Sequence, residues 1–96
     1  MMTNERQTNL WDALVESPEE AANLQVRSTL MREITRKVRS WGLAQKDAAQ
    51  RLNVTQPRLN DLLKGKIDKF SLDALVKMLH GAGLQIEVIV KDRSEA

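Results

Sequence analysis

Two short apolar clusters near the middle of the chain constrain its fold more than any other feature. Ala48, Ala49 and Leu52 recur at helical spacing, and so do Leu59, Leu62 and Leu63. Between them stands Asn53-Val54-Thr55. Asparagine tolerates the left-handed backbone of a sharp turn. Threonine is a good N-cap, and Val54 and Leu59 then fall at the two positions of a hydrophobic staple. Pro57 lies early enough in the second helix to be tolerated there. The pattern predicts two helices, about 44–52 and 55–64, crossing closely at the small Ala49, with Gly65 ending the second. This is helix-turn-helix geometry. The same periodicity also describes an αα-hairpin with no nucleic-acid role.

The flanking sequence supplies the rest of the domain. Ser17-Pro18-Glu19-Glu20 is a helix start, with Ser17 as N-cap, Pro18 at N1 and Glu20 placed for a capping box. Leu24, Leu30, Met31, Ile34, Val38 and Trp41 follow at helical period, and Gly42 is placed to end that helix. A fourth helix, about 71–81, begins at Ser71 with Phe70 and Leu75 as a staple. Leu72, Leu75, Val76 and Leu79 form its apolar face, and Gly81 and Gly83 end it. Residues 85–90 alternate and are β-branched, which predicts a strand with Ile86, Val88 and Val90 on one face. The expected fold is all-α: a four-helix helix-turn-helix bundle with one C-terminal β-strand, spanning 17–90. Its expected core is Leu30, Ile34, Val38, Ala49, Leu52, Leu59, Leu62, Leu75 and Leu79, with Met31 and Trp41 also inside. Residues 1–16 are read as an arm that docks through Trp11 or stays mobile. Residues 91–96 form a polar tail.

Composition narrows the function. The 96 residues include no cysteine and one histidine, His80, so disulfides, thiolate metal sites and thiol catalysis are excluded. His80 reads as a residue favoured by the helix dipole at a C-terminus. With 3% aromatics and no tyrosine, a base-stacking single-strand binder is disfavoured. No apolar run approaches the roughly 18 residues of a membrane span, and the first residues do not form a signal peptide. Neither an enzyme, a metal nor a cofactor is expected, and a cytoplasmic location is. Charge is uneven. Residues 1–20 hold five acids and one base, whereas residues 27–69 hold eleven bases and four acids. A basic block of this kind suits a polyanion.

The outer side of the 55–64 helix carries the candidate chemistry. A helical wheel turns Pro57, Asp61 and Lys64 away from Leu59, Leu62 and Leu63, with Asn60 and Arg58 flanking them. Gln56 lies at the N-terminal tip, where such a helix meets base edges. Glutamine pairs bidentately with adenine, and arginine with guanine. Asp61 can accept from a cytosine amino group or hold Arg58 or Lys64 in an exposed ion pair. Arg32, Arg36 and Arg39 form a stripe on the first helix, read as a solvated face.

The stretch from Gly42 to Lys66, continued by Phe70-Ser71-Leu72-Asp73-Ala74-Leu75 and by Gly83-Leu84-Gln85-Ile86-Glu87-Val88, resembles the XRE (Cro-type) helix-turn-helix family. Within it the resemblance is to small regulators that include HigA-type antitoxins. That resemblance implies that Gln45 touches a phosphate and braces Gln56. It implies that Gln56 and Arg58 read bases, and that Lys64 and Lys66 touch the backbone. Thr55, Pro57, Asn60 and Asp61 complete the implied DNA-binding set. Ala44 stands where threonine often caps the helix, a cap weaker by roughly 1 kcal/mol. Asn53 stands where glycine is common.

The leading expectation is a homodimeric repressor of double-stranded DNA, acting on a palindromic operator. The second is an antitoxin whose acidic arm or outer face masks a basic toxin ribonuclease. A stand-alone regulator with no toxin is the alternative. The 85–90 strand is expected to pair with its own copy across a two-fold axis, the competing arrangement pairing it with the N-terminal arm.

Overall fold

The computed structural model describes residues 17–93. The arm at 1–16, with Trp11, lies outside the described residues, as do the last three of the tail. The described residues form four α-helices, α1 Pro18–Ser40, α2 Gln45–Leu52, α3 Gln56–Leu63 and α4 Leu72–Ala82, with a 3₁₀ turn, Ile67–Lys69, between α3 and α4. Each lies within two residues of its sequence expectation.

The helix starts follow the capping logic. Ser17 accepts from the Glu20 N–H at 3.2 Å, Thr55 from that of Arg58 at 3.2 Å and Ser71 from that of Ala74 at 3.1 Å. The expected capping box at Ser17 takes a different form. Glu20 makes no return hydrogen bond to the Ser17 backbone N–H among the described contacts, and the Ser17 hydroxyl donates to the Glu19 carboxylate at 2.8 Å. That hydrogen bond, with one from the Glu19 backbone, holds the Glu19 carboxyl below its ordinary value. Ala44 caps α2 with no side-chain hydrogen bond, as its methyl dictates.

The core is entirely apolar among the described residues. All nine expected core residues are buried, together with Met31, Ala48, Phe70, Met78 and Ala82. Trp41 is half-buried against this core, with the Arg51 guanidinium 4.4 Å from its ring centroid. Val76, expected on the inner face of α4, is exposed; Met78 and Ala82 take that face with Leu75 and Leu79. α1 packs chiefly on α4, and α2 packs on both α3 and α4.

Gly81 corrects another expectation. It does not end α4 but lies inside it, facing Leu52 of α2. A Cβ there would stand 3.0 Å from the Leu52 carbonyl oxygen and 3.2 Å from its Cα. The absence of a side chain therefore sets how closely α2 and α4 approach. Gly83, left-handed at φ 74°, is the residue that stops α4.

The β-strand expected at 85–90 does not form; no strand occurs among the described residues. A strand needs a partner for its backbone N–H and C=O groups. No other described segment lies extended beside this one. Its apolar residues accordingly face solvent on both sides: Val88 is 74% exposed, Ile89 75% and Val90 87%.

Gly81→Ala should lower stability despite improving helix propensity. The contact is with backbone, so overpacking of about 1–3 kcal/mol outweighs a propensity gain of about 1 kcal/mol. Urea unfolding should show an earlier midpoint with an unchanged slope. An unchanged or later midpoint would mean that the α2–α4 approach carries no strain.

Candidate nucleic-acid interface

The α2–turn–α3 unit is built around Asn53. Its φ of 63° and ψ of 44° are left-handed, as the sequence requires of it. The next N–H, of Val54, closes back onto the Ala49 carbonyl at 2.9 Å. Val54 then packs against the core, and Leu59 is fully buried four positions after the Thr55 cap. The turn is thus fixed by one backbone conformation, one hydrogen bond and one apolar contact. α2 and α3 are eight residues each, with Ala48, Ala49, Leu52, Leu59 and Leu62 buried between them and the other helices.

A family profile described as a helix-turn-helix domain matches residues 13–91. The chain belongs to this helix-turn-helix family. No curated protein matches the chain. Within the matched residues, α2 and α3 are the two helices joined by the tight turn, and their outer residues divide into three groups.

The first group is exposed. Gln45 on the first turn of α2, Thr55, Gln56 and Pro57 at the start of α3, and Lys64 just past its end all face solvent. Gln56 and Gln45 share no hydrogen bond among the described contacts, so the bracing implied by resemblance is not made in the free chain. Asn60 is half-buried.

The second group is an ion pair. Asp61 pairs with Lys66 at 3.5 Å, and the Lys66 N–H donates to the Asp61 carbonyl at 3.1 Å. The expected partners were Arg58 or Lys64. Gly65, left-handed at φ 73°, turns the chain so that Lys66 comes back beside Asp61.

The third group is Arg58. Its guanidinium lies over the Phe70 ring, 4.2 Å from the centroid, and donates to the Lys69 carbonyl at 3.0 Å. It is half-buried and tied to the connection between α3 and α4. Arg27 grips the same connection from α1. It donates to the Ile67 carbonyl at 3.1 Å and the Phe70 carbonyl at 3.4 Å, and is steadied by Asn23 at 2.7 Å. Sequence reading did not single out Arg27, since its partners are carbonyls about forty residues away. Arg39 reaches the Leu63 carbonyl at 3.5 Å, placing a cation at the C-terminal end of α3.

The two α3 residues implied as base readers therefore differ in the free chain: Gln56 is exposed, while Arg58 also holds the fold. Arg58→Ala should lower folding stability by about 1–2 kcal/mol, through the ring contact and the carbonyl hydrogen bond. Gln56→Ala should leave stability within about 0.5 kcal/mol. Thermal or urea unfolding of the two variants checks this. Equal stabilities would show that the Arg58 contacts contribute nothing.

Proposed function

We propose that this protein is a sequence-specific double-stranded DNA-binding regulator that reads a palindromic operator with α3 as a homodimer, acting as a repressor. The observation that carries the reading is the exposed row Gln56, Pro57 and Lys64 on a helix whose opposite face is locked into the core by Leu59 and Leu62. Its family membership and the basic block at 27–69 support it. Gln56 stands at the tip of α3, where a groove-inserted helix meets base edges. Lys64, Gln45 and the backbone beside them suit phosphates. The resemblance to XRE regulators supports a HigA-like role and a cytoplasmic setting.

A second reading, antitoxin of a toxin–antitoxin pair, is supported by the acidic stretch at 1–20. Co-purification from the native operon with a basic ribonuclease-like neighbour tests it.

Selection from a random duplex library, followed by fluorescence anisotropy, tests the DNA reading. Gln56→Ala should cost about 1–3 kcal/mol on the selected site and relax its preference. Lys64→Ala should weaken all duplexes about equally and reduce the salt slope by about one unit. If Gln56→Ala keeps both affinity and preference, α3 is not the reading element.

The unpartnered segment at 85–90 supports dimerisation. Exposed Val88, Ile89 and Val90 beside unpaired backbone are unfavourable in a lone chain. A second copy added antiparallel would supply both hydrogen bonds and cover, and a two-fold axis would hold two α3 helices about 34 Å apart, one turn of DNA. Val88→Pro removes a donor from that ladder. Sedimentation should find a monomer with much weaker operator binding. A Val88→Pro dimer of full affinity would exclude this interface.

A further inference from the structure

A groove of about 620 Å³ runs between α1 and the connection that follows α3. Its floor is apolar, with Met31, Leu62, Leu63 and Ile67. Arg32, Arg36 and Arg39, spaced four and three residues apart, line its α1 side. All three are exposed; Arg36 also pairs with Glu33, and Arg39 reaches the end of α3. A DNA backbone would satisfy the arginines but offers nothing to the floor. An acidic segment with large apolar side chains satisfies both.

The chain contains such a segment. Leu10-Trp11-Asp12-Ala13-Leu14-Val15-Glu16 places four large apolar residues and two carboxylates in seven positions, and Glu5 precedes it. It also has the reach. α1 rises about 1.5 Å per residue, which puts Arg32 about 21 Å from Pro18. Extended chain covers about 3.3 Å per residue, so a segment running back from Ser17 brings Leu10 and Trp11 level with Arg32 after about 20–23 Å. Glu5 then comes within range of Arg36 and Arg39.

We propose that the acidic segment around Leu10 and Trp11 folds back along α1 of its own chain and docks in the arginine-rimmed groove. Trp11 and Leu10 cover the Met31–Ile67 floor, and Asp12 and Glu5 meet the arginines. The inference is independent of the DNA reading.

The chain has no cysteine, so a nitroxide on Thr8→Cys labels the full-length protein at one place. In the ¹⁵N spectrum, amides of 28–39 and 62–67 should lose most of their intensity, while those of Asp73 and Lys77 on the outer face of α4 keep theirs. The loss should shrink in 0.5 M salt (about a 4 Å screening length). It should vanish in Arg32→Glu/Arg36→Glu/Arg39→Glu, whose exposed positions leave the core untouched, and return when Glu5→Lys and Asp12→Lys are added. Three outcomes would overturn the proposal. One is no selective loss. Another is loss centred on 84–87. The third is loss that appears equally on mixing labelled unenriched chain with unlabelled ¹⁵N chain, which assigns the groove to a second copy's segment.

Discussion

Phe70 is where the chain is tied together. Its ring is 1% exposed, at the centre of the core. Arg58 of α3 lies on one side of that ring, and Arg27 of α1 donates to the residue's carbonyl. The next residue, Ser71, caps α4. One position therefore links α1, α3 and α4, and the orientation of α3 depends on it. The connection from Lys64 to Ser71 has no regular helix beyond one 3₁₀ turn, yet it is held from both sides by arginines whose charges remain in reach of water. Apolar burial supplies the energy here, and the guanidinium groups supply direction. They supply donors to the Lys69 and Phe70 carbonyls near the core, and Arg27 adds a second donor to the Ile67 carbonyl, which already accepts from the Phe70 N–H.

Much of this fold was legible because its determinants are local. Asn53, Val54 and Thr55 specify a turn through one backbone conformation, one staple to Leu59 and one cap on Arg58, all within seven residues. Ser17, Thr55 and Ser71 mark helix starts through hydrogen bonds three residues away. The apolar periods of α1 and α3 identify the buried face without knowledge of what covers it. What escaped the sequence depends on distant partners. The roles of Arg27 and Arg58 are set by carbonyls that arrive only when the 3₁₀ turn is in place. Gly81 looks like a helix end in sequence, because only the packed structure brings the Leu52 backbone against it. Residues 85–90 carry a strand pattern, but pattern supplies only half of a strand. The other half is a partner edge, and no described segment provides one.

The candidate site was legible to the same extent. Gln56 and Lys64 face solvent as the helical wheel requires, since the wheel depends only on the buried face. The wheel also set Arg58 and Asp61 on the outer side, but it could not show that long side chains double back. Arg58 has the length to leave its own helix face and reach Phe70, and Asp61 meets Lys66 because Gly65 reverses the chain. A cation on a helix surface is thus a poor guide to its own partner wherever a left-handed glycine follows within a few residues.

These engagements bear on how α3 would read a base. To contact guanine, Arg58 must leave the Phe70 ring and the Lys69 carbonyl, contacts worth about 1–2 kcal/mol in a partly exposed setting. A bidentate contact to the correct base contributes about 1–3 kcal/mol of discrimination. The two are of similar size, so Arg58 would add little net affinity even where it adds preference. Gln56 is exposed at the tip of α3 and has no such contact to surrender. Lys64 is likewise available to phosphate, whereas Lys66 must first part from Asp61, a partly exposed pair worth about 1 kcal/mol. On these magnitudes, discrimination by such a reading helix would concentrate at the N-terminal end of α3. Arg58 serves mainly to keep that end at a fixed angle to the rest of the domain.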